Sequence, residues 1–366
     1  MSKVGVLTFH RASNYGAVLQ TWALQRALLA SGVEAEVIDY RSPFIEAHYT
    51  PTGWKTLLNP RLAGIALLRN GYMRDRRSIF EKFVREEIPM SSEQFTPENL
   101  SAANHLYAGF ITGSDQVWNY QTAGFDRAYF LDFVEGTARK TAYAASIGLE
   151  QIPEEHSEEY LRLFQTMGMT TLRETSGSRL FEDITGKSAP TVLDPTLLLS
   201  AEEWAALASD GTKQGRPYVF VYLLAETKEM LDYARRLARV KNCDVVYVSQ
   251  RLFRPRGMET LDSATPQDFV SLVKNASAIV TNSFHGLAFG LNFGAEVHFD
   301  YLPAPSKVNS RLEDIARRLD ALDRQIIDGR LLSGENEEAV NMRRELLAAE
   351  RQNSMQELTK LVESMA

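Results

Sequence analysis

Cysteine is almost missing from this chain: Cys243 stands alone, which excludes a disulfide framework and a multi-cysteine metal site. No apolar run approaches the roughly 20 residues that a spanning helix needs, so no transmembrane segment is expected. A positive surplus is lacking too. With 40 basic and 47 acidic side chains the formal charge is −7, which argues against nucleic acid as the main partner. Any anionic ligand must then be met by locally placed arginine or lysine. Among His10, His48, His105, His156 and His298 no pair has metal-ligand spacing, and no metal or tightly held cofactor is expected. There is no GxGxxG fingerprint, low-complexity tail or obvious internal repeat. Met1-Ser2-Lys3-Val4 runs straight into a strand rather than a signal peptide, so a reducing cytoplasm is the expected compartment.

What the chain does have is length and alternation. At 366 residues it exceeds one ordinary core and fits two domains, which imply a cleft. Val4–Phe9 reads as a buried strand, His10–Gly16 as a polar loop, Ala17–Ala30 as a helix and Val37–Tyr40 as the next strand. This βαβ opening favours a parallel sheet with the first loop at the strands' carboxyl edge. Helical signals dominate Trp54–Glu87. Strands are predicted at Tyr107–Thr112, Tyr129–Phe133, Lys140–Ala145, Met169–Arg173 and Val192–Pro195, with a helix at Glu155–Thr166. Residues 209–217 concentrate breakers and form the best linker. Beyond it, strands are expected at Tyr218–Leu223, Asp244–Ser249, Ala278–Val280 and Glu296–Tyr301, with helices at Lys228–Val240 and Pro266–Lys274. The expected domains are therefore 1–208 with a helical insert at about 54–92, then 216–330, then a helix over 331–366 bracing the two.

Residues that can carry chemistry fall at loop positions. Thr281-Asn282-Ser283-Phe284-His285-Gly286 places a histidine where a strand turns into an apolar helix, beside helix N–H groups that favour anions. Gly113-Ser114-Asp115-Gln116-Val117-Trp118-Asn119 follows another strand. Its carboxylate, amides and indole suit a polyhydroxylated ligand, or equally an Asx turn with Trp118 in a core. Ser13, Asn14, Tyr15 and Gly16 precede the first helix and serve either a ligand or plain capping. Arg173 and Arg311 offer bidentate contacts to phosphate or carboxylate, the alternatives being salt bridges around Glu174 for one and with Glu313 or Asp314 for the other. The basic and apolar residues of 54–87 suit either packing on the protein body or peripheral contact with an anionic membrane.

In their order along residues 1 to about 315, these motifs resemble the polysaccharide pyruvyl transferase family. Those that carry the likeness are Gly5–Phe9 with Ser13–Ala17, Gly113–Asn119, Arg173-Glu174, Leu193-Asp194-Pro195-Thr196 and Thr281–Gly286. The resemblance implies an α/β protein of two Rossmann-like domains in a GT-B-like arrangement. It also implies transfer of pyruvate from phosphoenolpyruvate to a sugar as a cyclic ketal, in the assembly of surface glycans. One departure is visible: many members carry an arginine where this chain has Ser283. On this footing His285 is expected to bind the donor and act as acid, with Arg173, Arg311, Asn282, Ser283 and Gly286 around the donor. Asp115 is expected as base, with Ser13, Asn14, Tyr15, Gly16, Ser114, Gln116 and Trp118 on the acceptor, a sugar or a lipid-linked glycan. The alternatives are a GT-B-type glycosyltransferase with a nucleotide-sugar donor and a glycan-binding protein without turnover.

Overall fold

The computed structural model describes residues 3–49, 60–210, 216–249, 254–303 and 309–365, with side chains in the 60–67 stretch left aside. Positions 54–59 of the expected insert, 211–215 of the expected linker, and 306–308 before Arg311 lie outside the described residues.

β1 (Val4–Leu7) is buried at every position and leads into α1 (Tyr15–Ala30). That helix starts two residues before its apolar periodicity, because Asn14 caps it by accepting from the Ala17 N–H at 3.3 Å. Nearly all of α1 is buried, so it is a central helix without a polar face. There follow β2 (Ala35–Tyr40), α2 (Pro43–Tyr49), α3 (Pro60–Glu87), β3 (Met90–Phe95), β4 (Gly109–Thr112), α4 (Tyr120–Ala123), β5 (Lys140–Ala145), α5 (Glu154–Gln165), β6 (Thr170–Leu172), α6 (Thr175–Thr185), α7 (Pro195–Leu198) and α8 (Ala201–Leu207). The strands form one parallel sheet in the order β3-β2-β1-β4-β5-β6, which is the Rossmann order.

The second half repeats the plan. β7 (Tyr218–Tyr222), α9 (Lys228–Lys241), β8 (Asp244–Val248), β9 (Glu259–Leu261), α10 (Pro266–Lys274), β10 (Ala278–Thr281), α11 (Phe284–Phe293) and β11 (Val297–Phe299) build a parallel sheet ordered β11-β10-β7-β8-β9. α12 (Ser310–Arg318) and α13 (Glu337–Glu363) complete the chain. The result is the expected α/β fold of two Rossmann-like units in a GT-B-like arrangement. Each sheet reverses its strand order once, at β1/β4 and at β7/β10, and a ligand crevice belongs outside the carboxyl ends of such a pair.

Several elements differ from expectation. Tyr129–Phe133 is no strand: Arg127–Phe130 is a 3₁₀ turn and Leu131 adopts φ 55°, so the aromatic run fills a cluster instead of joining the sheet. Val192–Pro195 is no strand either, since Thr191 makes a lone bridge to Leu172 and Pro195 opens α7. β3 and β9 were not foreseen, being short sheet-edge strands with exposed polar residues. The described part of α3 packs inward through Phe80, Phe83 and Val84, and Arg77 pairs with Glu46 and Glu81. No helix among the described residues is long and apolar enough to cross a membrane.

One apolar cluster runs through both units, from Val6, Val18 and Trp22 across Trp204 to Phe269, Phe289 and Phe220. Trp204 sits between Trp22 of α1, at 5.0 Å, and Phe289 of α11, at 4.8 Å. α13 touches both sides of this seam. Arg351 donates to the Leu197 carbonyl and to Asn292 Oδ1, and Ser354 Oγ accepts from the Leu193 N–H. Its apolar side buries Leu347, Leu358 and Leu361. Leu358→Ala should therefore cost about 2–5 kcal/mol of stability, read as a lowered urea midpoint with an unchanged m-value.

Candidate active site

Both strand-order reversals open on a single cavity of about 210 Å³. From the first unit it takes Asn14, which follows β1, and Asp115 and Gln116, which follow β4. From the second it takes Leu224 beyond β7, Ser283 and His285 beyond β10, and Arg311 of α12. α1 and α11 both begin at its wall, so two positive helix ends face the same space.

His285 is placed by close approach of the two units. It lies on the backbone of Gly16, where an added Cβ would stand 2.0 Å from the imidazole Nδ1, so only glycine fits beneath the ring. Phe284 stands edge-on to His285 and covers the Arg173 guanidinium at 4.6 Å. Behind the histidine is Asp194, fully buried as the N-cap of α7. Its Oδ1 accepts from the Thr196 N–H (2.9 Å) and hydroxyl (2.7 Å). Its Oδ2 accepts from Arg173 Nη1 (2.8 Å) and Ser114 Oγ (3.0 Å) and lies 3.6 Å from His285 Nε2. Burial alone would raise the Asp194 pKa, but His285 and Arg173 outweigh it and hold the carboxyl well below the usual carboxylate range.

Asp115 reaches the cavity from a locked backbone. Its φ of 72° is left-handed, its carbonyl accepts from the Val117 and Ser146 N–H groups, and its Oδ1 accepts from Gln116 N at 2.8 Å. Arg173 approaches the same oxygen at 3.5 Å. Burial opposes the Arg173 charge, but Asp194, Asp115 and Glu174 together raise its pKa. Arg311 has the reverse balance: burial first and Arg173 second pull it down to about 10. No cluster of potential metal ligands occurs among the described residues.

The sequence pattern of the family described as polysaccharide pyruvyl transferase matches residues 14–299. The chain belongs to that family. No curated protein matches it. Similar solved structures include S. aureus MnaA with UDP, at 12% identity, 98% of this chain and 91% of that one, and TM-score 0.49. UDP-GlcNAc 2-epimerase from Neisseria meningitidis bound to UDP-GlcNAc has 11% identity, 97% and 94% coverage, and TM-score 0.49. E. coli heptosyltransferase WaaC with ADP has 15%, 84% and 90%, and 0.38. Likeness at this level carries no argument about chemistry.

Within this pyruvyl transferase family member, the residues singled out in the sequence divide into two groups. His285, Asp115, Asn14, Gln116, Ser283 and Arg311 line the cavity, and Gly16 supports His285 from below. Others stand behind or away from it. Trp118 is fully buried, stacked on Phe130 and Phe181 with its Nε1 donating to the Tyr129 carbonyl, so it offers no face to an acceptor. Tyr15 is likewise buried, stacked on Phe269 with its hydroxyl donating to the Ala264 carbonyl. Ser13 presents its carbonyl to Arg76, and Ser114 spends its hydroxyl on Asp194 and the Ala144 carbonyl. Asn282 bridges to Leu224 N and the Ala225 carbonyl, while Gly286 makes room for Thr281, whose Oγ1 would lie 2.2 Å from an added Cβ. Arg173 is sealed among carboxylates and does not line the cavity. Around Arg311, Glu313 pairs with Arg317 and Asp314 with Arg318, so those salt bridges belong to other arginines.

Asp194 and Glu174 were not named as site residues. Asp194 belongs to the Leu193–Thr196 motif that carries the family likeness, but that stretch reads as a strand edge and gives no sign that its carboxylate meets Arg173 and His285. Glu174 Oε1 accepts at 3.0 Å from Ser146 Oγ and from the Ile147 and Gly148 N–H groups, holding the loop after β5 against the site. A carboxyl held below its unfolded pKa adds stability that is present above about pH 4 and is lost as pH falls toward the folded value. Asp194→Asn should thus cost about 3–5 kcal/mol at pH 7 and flatten the fall of Tm with pH below 4, as followed by thermal unfolding in a pH series.

Proposed function

We propose that this protein transfers the enolpyruvyl group of phosphoenolpyruvate to a sugar and closes it into a pyruvate ketal during cell-surface polysaccharide assembly. The observation that carries this reading is that His285 and Asp115, from opposite units, line one cavity beside Arg311. A phosphorylated carboxylic acid needs cationic and N–H partners. Arg311 and the ends of α1 and α11 supply them.

In the proposed reaction His285 protonates the methylene carbon, which makes the neighbouring carbon electrophilic. A sugar hydroxyl attacks that carbon while Asp115 takes its proton. Phosphate leaves as the carbon–oxygen bond breaks, and a second hydroxyl closes the ketal. Of the two hydroxyl protons, the balance places one on the new methyl group and the other on the released phosphate. Arg173 acts here as a positioning group that holds Asp115 and Asp194, and Asp194 in turn orients the His285 imidazole.

The test is phosphate release from phosphoenolpyruvate with a panel of sugar acceptors, with the ketal methyl group followed by NMR in D₂O. The wild-type protein should incorporate one deuterium into that methyl. His285→Ala should lower turnover by about 10²–10⁴-fold. Full turnover by His285→Ala, or thermal stabilisation by nucleotide sugars and none by phosphoenolpyruvate, overturns the reading.

A further inference from the structure

The cavity has a second wall, which the proton and phosphate chemistry leaves unused. α2 contributes Phe44, Ile45, His48 and Tyr49, α4 contributes Gln121 and Thr122, and Leu224 faces them from the second unit. Phe44 is 42% exposed and Leu224 39%, so two large apolar side chains stand uncovered at the rim of one cavity. Phe44 is nevertheless fixed. Its ring lies against Gly124, where an added Cβ would come within 2.4 Å of its Cγ, and Gly124 also needs its φ of +66° to close α4. Beneath it, Ile45 is buried, and Glu46 accepts from Arg11 at 2.8 Å and Arg77 at 2.7 Å. Tyr40 and Ser42, just before α2, both donate to Asp126 at 2.8 Å. An open, immobilised ring beside amides and a hydroxyl is the arrangement that holds a polyhydroxylated ring, with its C–H face on the aromatic and its hydroxyls on the polar groups.

Resting on the transferase reading above, we propose that Phe44 is the acceptor platform: a pyranose lays its C–H face on the Phe44 ring while Gln121 Oε1 and Thr122 Oγ1 accept from its hydroxyls, since the Gln121 amide and the Thr122 hydroxyl donate to Tyr120 and to the Gln116 carbonyl. This gives α2 the place that the sequence suggested for Trp118, whose ring is sealed in the core. The donor has the part of the cavity lined by Arg311 and His285. A lipid tail would ask for a continuous apolar lining, which Gln116, Gln121 and Thr122 interrupt. The first sugar of the acceptor is therefore selected by α2 and α4 of the first unit.

The probe is saturation-transfer NMR with methyl β-galactopyranoside, methyl β-glucopyranoside and methyl 2-acetamido-2-deoxy-β-mannopyranoside. At least one should receive saturation on its ring protons from the wild-type protein. Phe44→Ala should weaken that signal, and Phe44→Trp should keep it, each with an unchanged circular dichroism spectrum. In turnover, Phe44→Ala should raise the acceptor KM by about tenfold and leave the phosphoenolpyruvate KM unchanged. An undiminished signal in Phe44→Ala, no signal from any glycoside on the wild-type protein, or a parallel rise in both KM values overturns the platform. Phe44-dependent saturation transfer without turnover of phosphoenolpyruvate supports the platform and sinks the transferase reading instead.

Discussion

A single buried carboxylate ties the site together. Asp194 caps α7 with one oxygen and with the other holds Ser114 of the loop after β4, Arg173 of the loop after β6, and His285 of the opposite unit. Removing such a charge from water is costly, and the contacts offset that cost only while all of them are made. The cluster is therefore better understood as a device for position than as a source of stability. It fixes Asp115 through Arg173 and His285 directly, so the two groups facing the cavity share one anchor.

Packing makes that anchor effective. Two Rossmann-like units joined by a polar interface would leave His285 and Asp115 free to change their separation. Here an apolar cluster runs from Val18 and Trp22 through Trp204 to Phe289, and α13 donates hydrogen bonds to both sides. Gly16 then permits the His285 ring to rest on the α1 backbone. The seam, rather than either sheet alone, sets the geometry of the cavity, which is the preorganisation that proton transfer between fixed partners needs.

Much of this was legible where a residue's local role and its long-range role coincide. Val4–Leu7 reads as a buried strand whatever surrounds it, and the strand-to-helix turn before His285 announces an exposed end by its capping residues. Legibility failed where one residue type serves two ends. Trp118 beside Asp115 has the composition of a sugar site, but side-chain direction sends one into the cavity and the other into the Phe130, Phe164 and Phe181 cluster. Tyr129–Phe133 has strand composition, yet its neighbours in space are rings, so tertiary packing overrides local preference. α2 is seven residues long and begins at Pro43, too short to leave a periodic trace. Asp194 lies in a stretch that reads as a strand edge but caps α7, and the reach of its second oxygen to Arg173 and Ser114 exists only in the folded chain.

The charge of the site follows from these placements. Three carboxylates, Asp115, Asp194 and Glu174, surround Arg173 and absorb its charge, so an incoming anion gains little from it. Among the described lining residues the arginine that faces the cavity is Arg311, and Ser283 lines it as well. Under the proposed reading, an anion there would meet one guanidinium and two helix ends instead of a cluster of cations. Burial and the neighbouring Arg173 charge lower the Arg311 pKa, while Asp194, Asp115 and Glu174 raise that of Arg173. The lining residues from α2 and α4 include no arginine or lysine among the described residues, so the proposed acceptor wall differs in charge from the part of the cavity lined by Arg311.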